Sequence, residues 1–142
     1  MIYLDSSALV KLALTERESA ALVRWLAERA DQPLVSSVLH RAEVPRAVWR
    51  AEPGALPRSY RVIRRIAKVC MTADVLDNSA TLPPRALSPA QAIHLASALA
   101  LKRDLSAFVA YDERLLAAAA DAGLPVASPG QKAVAQKAAG SA

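Results

Sequence analysis

Met1–Leu14 reads MIYLDSSALVKLAL. A short apolar run ends at an acid, two serines follow, and an apolar-rich segment continues. The run predicts a buried strand with Asp5 at its C-terminal end. Ser6 and Ser7 supply hydroxyls to cap the helix that ALVKLAL opens. The pattern returns at Ala107–Asp112, AFVAYD, where an apolar strand again ends in an acid. ERLLAAAADAG then reads as a helix closed by Gly123.

The same alternation fills the chain between these two units. Thr15–Glu18, TERE, has the capping-box pattern and opens a helix to about Arg29. PLVSS is a second short strand. Ser36 or Ser37 starts a helix through VLHRAEVPRAVWRA, which Pro45 either kinks or shortens. Residues 57–69 predict a helix with Pro at its start, placing Val62, Ile66 and Val69 on one face. Arg58, Arg61, Arg65 and Lys68 line another face, either as a phosphate-binding stripe or as a solvated surface. VCMTAD predicts a third strand that buries Cys70, and VLDNSATLP a short helix and turn. Ser88 to about Lys102 is the clearest helix, and LPVAS a last short strand.

Short apolar strands alternating with longer helices indicate an α/β fold with a mainly parallel sheet. Sites in such sheets form beyond the carboxyl ends of the strands, where Asp5 and Asp112 stand. The 142 residues predict a single domain over 1–127. The tail, 128–142, is low in complexity and is expected to fray.

Composition removes several classes of function. A hydrophobic fraction of 54% is too high for a disordered chain. No apolar run reaches the length that crosses a bilayer, so no membrane role is expected. MIYLDSSALV lacks the basic leader of a signal peptide, which predicts a cytoplasmic protein. One Cys forms no internal disulfide, and with two His it cannot build the usual Cys/His zinc site. Any metal here would have to be held mainly by oxygen, which points to magnesium or manganese. The net charge of +5 favours an acidic partner such as nucleic acid. Three Tyr, two Trp and one Phe are too few for an aromatic single-strand platform. No G-x-G-x-x-G and no P-loop is present. DSS lacks the second Asp of a haloacid-dehalogenase-like phosphatase, and the acids and late Lys of a phospho-receiver are not clear.

The remaining chemistry rests on acids. One strand-end Asp is best read as a helix cap; two on a basic chain make a shared metal site the better reading. Glu43 falls at or next to the apolar side formed by Val38, Leu39, Ala42 and Ala47. A carboxylate there is costly unless it binds metal or pairs, for example with Arg41 or Arg46. Phosphodiester hydrolysis needs an activated water and a clamp on negative charge; divalent ions held by hard oxygen do both.

MIYLDSSALVKL, VSSVLHRAEVPRAV, QAIHLASALA and FVAYDERLLAAA occur in the order and spacing of the PIN domain. Over residues 1–127 the chain resembles that family, and within it the VapC-type toxins of toxin–antitoxin pairs. The resemblance implies a three-layer α/β/α sandwich and a magnesium- or manganese-dependent endoribonuclease that hydrolyses RNA. It also implies a homodimer and a cognate VapB-type antitoxin. Carried over by position, Asp5 is the central metal ligand. Asp112 ligates directly or through water, and Glu43 ligates or orients water. Ser7 bonds a carboxylate or bound water, or caps its helix. Directly before AIHLA, where the family usually has Asp, this chain has Gln91. That residue either completes a capping box with Ser88 or offers an amide oxygen to the metal. Glu113 and Asp104 are the nearby acids that would compensate, although helix start and solvent exposure describe them better. His94 is read as a packed, hydrogen-bonded histidine. The alternative function is a cleavage-deficient PIN-like module that binds RNA or an antitoxin partner.

Overall fold

The structure is a computed structural model and describes residues 1–132. Five parallel strands form one sheet in the order β3-β2-β1-β4-β5. They are β1 (Ile2–Leu4), β2 (Leu34–Ser37), β3 (Ala67–Val69), β4 (Ala107–Val109) and β5 (Val126–Ala127). The helices are α1 (Ser6–Ala13), α2 (Ser19–Ala27), α3 (His40–Ala51), α4 (Leu56–Ile63), α5 (Ala73–Ser79), α6 (Pro89–Ala100) and α7 (Glu113–Asp121).

Successive side chains of a strand point to opposite faces, so β1 feeds two cores. Ile2 and Leu4 pack with Leu9, Leu22, Val44 and Val48 on the side of α1–α4. Tyr3 packs with Leu95, Phe108, Leu115 and Ala119 on the side of α6 and α7. The result is the expected three-layer α/β/α sandwich. The chain leaves β1 towards β2 on one side, and β4 lies on the other, so the topological switch point lies between β1 and β4. Both expected strand-end acids follow these two strands.

Several local expectations are corrected. The Thr15–Glu18 capping box does not form: α2 begins at Ser19 after Glu18, which makes no side-chain cap bond. Ser19 organises the turn instead, its Oγ accepting from the Glu16 amide and donating to the Leu14 carbonyl. The helix expected from Ser36 or Ser37 begins at His40, because both serines are in β2, and Pro45 lies within α3 rather than near its start; the proline is buried and gives no N–H to the Arg41 carbonyl.

The helix expected over 57–69 stops at Ile63, because Ile66 turns into the core and Ala67–Val69 pair with β2. The cationic stripe is therefore broken: Lys68 is on β3, and Arg58 donates to the Ala13 carbonyl at the end of α1. Cys70 lies just past β3 and is exposed, not buried in a strand. Trp25 packs against the core, whereas Trp49 is exposed.

The first part of the expected frayed tail is held. Tyr111 Oη donates to the Pro129 carbonyl at 2.7 Å, and Gln131 Nε2 donates to the Tyr111 carbonyl. Gly130 has φ +86, and a Cβ there would come within 2.9 Å of the Ala21 side chain. The rest of that expectation, 133–142, lies outside the described residues. Among the described residues, no helix is long and apolar enough to cross a membrane.

Candidate active site

Asp5 leaves the end of β1 as the N-cap of α1. Its Oδ2 accepts from the Ser7 amide at 3.1 Å and from Ser7 Oγ at 2.6 Å. Ser7 Oγ in turn accepts from the Tyr111 amide at 3.1 Å. One serine thus ties the end of β4 to the Asp5 carboxylate across the switch point. Asp5, not Ser6 or Ser7 as expected, caps α1, and Ser7 bonds the carboxylate from inside the helix. The cap and ligand readings of Asp5 are compatible, because the cap uses only one carboxylate oxygen.

Glu43 reaches the same place from α3. Its Oε1 accepts from Ser6 Oγ at 2.9 Å and from His94 Nε2 at 2.7 Å. The expected alternative of a bridge to Arg41 or Arg46 does not form. His94 is buried on α6, with Nδ1 2.8 Å from Tyr3 Oη and 3.7 Å from Asp5 Oδ1. Tyr3 Oη also accepts from the buried Ser37 amide at 2.9 Å. A single imidazole therefore joins acids 38 positions apart in sequence and is anchored by a strand tyrosine. The expectation of a packed, hydrogen-bonded histidine is met.

Burial works to lower the His94 pKa. The Glu43 hydrogen bond and the charges of Asp5 and Glu43 outweigh it, and the pKa is raised. For Glu43, burial works upward, but His94 and the Ser6 hydroxyl outweigh it and hold the carboxyl below its ordinary value. The two shifts agree: this is a hydrogen-bonded ion pair. Burial is also the first cause of the raised Tyr3 pKa, which keeps its hydroxyl protonated.

Gln91 is engaged as a cap. Its Oε1 accepts from the Ser88 amide at 3.1 Å, and Ser88 Oγ accepts from its backbone amide at 3.2 Å. Asp112 caps α7, with Oδ1 accepting from the Leu115 amide at 2.9 Å, and is exposed. Asp104 and Glu113 are exposed as well. Among the described residues, no three His, Cys, Asp or Glu side chains draw together closely enough to hold a metal. The structure thus gathers Asp5, Glu43 and Ser7, and leaves Asp112 and Gln91 at helix starts.

The donor chemistry nevertheless suits a hard cation. Glu43 Oε2 accepts no hydrogen bond among the described residues, and Asp5 Oδ1 meets only His94. Magnesium commonly takes one or two protein carboxylates and completes its shell with water and substrate phosphate. The residues that sequence reasoning missed are Ser6 and Tyr3. Position gave a signal for Tyr3, the one polar-tipped residue in an otherwise aliphatic strand; Ser6 carried none beyond helix capping.

The PIN domain family profile matches residues 2–121. Ribonuclease VapC47 of Mycobacterium tuberculosis is 39% identical over 133 residues, covering 92% of this chain and 98% of that protein. Ribonuclease VapC46 of the same organism is 43% identical over 128 residues, covering 90% and 97%. Among solved structures, the Sarcin-Ricin loop cleaving toxin VapC20 of Mycobacterium tuberculosis superposes with a TM-score of 0.70 at 17% identity, covering 91% of this chain and all of that one. At that identity the superposition bears on the fold alone.

Proposed function

The chain belongs to the PIN-domain family, and from that premise we propose that it is a divalent-metal-dependent endoribonuclease acting as the toxin of a toxin–antitoxin pair. The observation that carries the reading is the convergence of Asp5 and Glu43, from different elements, beside the switch point of a parallel sheet. Ribonuclease is the name of the relatives, at about 40% identity over nearly their whole length. The binding-only alternative gains nothing from them.

Asp5 and Glu43 would hold magnesium or manganese, with Asp112 joining directly or through water. The bound ion supplies an activated water and neutralises charge developing on the phosphodiester. The chain's own residues set up that site. Ser7 fixes Asp5 against the end of β4. His94 orients Glu43, and Tyr3 holds His94. The fixed carboxylates lower the reorganisation needed when substrate arrives. RNA as substrate, a VapB-type antitoxin as partner, a homodimer and a cytoplasmic location belong to the same proposal. So does the division into a domain over 1–127 and a tail.

The test strips the purified chain of metal with EDTA and follows cleavage of total RNA as Mg²⁺ or Mn²⁺ is returned. Cleavage that appears with metal and is lost in Asp5→Asn supports the reading. Cleavage indifferent to metal, or none at any metal concentration, refutes it.

A further inference from the structure

A groove of about 420 Å³ opens between α3, α4 and β3, beside the candidate site. Arg41, Arg64 and Lys68 line it, with Tyr60 and Ile63. Among the described residues, no carboxylate lines it. All three cations are exposed, and Tyr60 is 46% exposed. His40 is part of the lining and fully buried, its Nδ1–H donating to the Ser37 carbonyl at 2.7 Å. His40 Nε2 has no hydrogen-bond partner among the described residues.

Three placements matter together. His40 and Glu43 are both on α3, three positions apart, so the groove begins about one helical turn from Glu43. Lys68 is paired in register with Ser36, on the strand next to the one that leads into α3. Arg64 follows the last turn of α4. Three elements thus aim cations into one concavity whose neighbour is acidic. An apolar helix gains nothing from three cations. A polyanion gains from all three charges, and it must run past the acids to be cut.

We propose that this groove is a phosphate-binding subsite for a single-stranded RNA segment, with Arg41, Arg64 and Lys68 on backbone phosphates and Tyr60 stacking on an unpaired base. The proposal deepens the ribonuclease reading and rests on it for the identity of the polyanion. It replaces the broken Arg58–Lys68 stripe as the place where phosphates are held, since only Lys68 of those four lines the groove. One tyrosine beside phosphates is sequence-tolerant, so affinity comes mainly from charge and depends on salt.

The experiment measures binding of a fluorescent single-stranded RNA 12-mer by anisotropy in EDTA, where cleavage plays no part, across a salt series. Arg64→Gln/Lys68→Gln should weaken binding at least tenfold and flatten the log–log salt slope by about 1.4, at ~0.7 for each phosphate no longer neutralised. Tyr60→Ala should weaken binding about tenfold with little change in slope. Arg17→Gln/Arg24→Gln removes the same charge outside the groove and should cost less than threefold. Thermal melts establish that each variant is folded, and Lys68→Gln alone repeats the test at one exposed site. Equal losses in the groove and control pairs overturn the proposal, as does an unchanged slope. So does a groove pair that weakens binding of an acidic peptide but not of RNA, which would make this a protein-docking surface. RNA bound through the groove but never cut with metal refutes the nuclease reading and leaves the groove. Metal-dependent cleavage with an unaltered KM in the groove pair refutes the groove and leaves the nuclease.

Discussion

Asp5 caps α1 with one oxygen and offers the other to the proposed metal site, so two substitutions separate its roles. Asn keeps a side-chain oxygen at the cap, and Asn and Asp cap helices about equally well. What Asp5→Asn loses is charge, with a helix-dipole contribution of about 0.3–1 kcal/mol. Asp5→Ala loses the cap too, including both bonds from Ser7, at a further cost of about 1 kcal/mol. In a chain of this size, 1 kcal/mol corresponds to a Tm change of about 2–4 °C. Melts should therefore place Asn within about 4 °C of the parent and Ala some 2–4 °C lower still.

Activity should not follow that order. At 4 Å and an effective dielectric of ~20, one unit-charge pair is worth ~4 kcal/mol before desolvation offsets much of it. A surviving ~2.7 kcal/mol is already about a hundredfold in rate. Both variants should cleave a labelled RNA at least a hundredfold more slowly at fixed Mg²⁺, with no restoration in Asn by its better fold. Near-parental cleavage by Asp5→Asn would show that Asp5 is a cap and nothing more. A Tm for Asn as low as that for Ala would refute the cap geometry.

Three further outcomes are expected. Tyr3→Phe leaves the buried Ser37 amide without its acceptor and removes the support of His94; it should cost about 1–3 kcal/mol, read as a Tm drop of at least 2 °C, and a smaller drop argues against the network. Glu43→Gln probes the ion pair in EDTA. Glu43 is held below its ordinary 4.5, so its contribution is present above pH 4.5 and lost as pH falls through the folded pKa; His94 is raised above its ordinary 6.5, so its contribution is complete below pH 6.5 and lost as pH rises through the folded pKa. The stability gap between parent and variant should be widest between those limits and close on both sides, and a gap constant with pH contradicts the pairing. Gln91→Asp restores a carboxylate one turn before His94 and should tighten metal binding about tenfold, ~1.4 kcal/mol, while Gln91→Ala should leave it unaltered and lower Tm through the cap. If Gln91→Asp binds metal no better, position 91 serves the cap alone.

Local chemistry was legible in the sequence. A short apolar run ending in an acid and followed by hydroxyls is a strand, a cap and a helix start whatever surrounds it. That is why β1, β4, α1, α7 and the Ser88–Gln91 capping box follow from residue order. The alternation of these units fixed the α/β class, and the motif order carried the resemblance to the PIN domain. The misreadings arose where packing overrides local pattern. A continuous helical period over 57–69 gave way because Ile66 is drawn into the core and Ala67–Val69 complete the sheet edge.

What only tertiary structure decided is which side chains meet. Ser6, Glu43, His94 and Tyr3 come from α1, α3, α6 and β1, and no spacing in the chain brings an imidazole between two particular acids. The strand order sets Asp5 beside the end of β4, and the packing of α3 and α6 around that edge closes the network. The same packing turned Arg41, Arg64 and Lys68, from three elements, into one basic groove. Hydrogen-bonding and capping rules act within a turn or two of chain, whereas charge convergence depends on the sheet's topology.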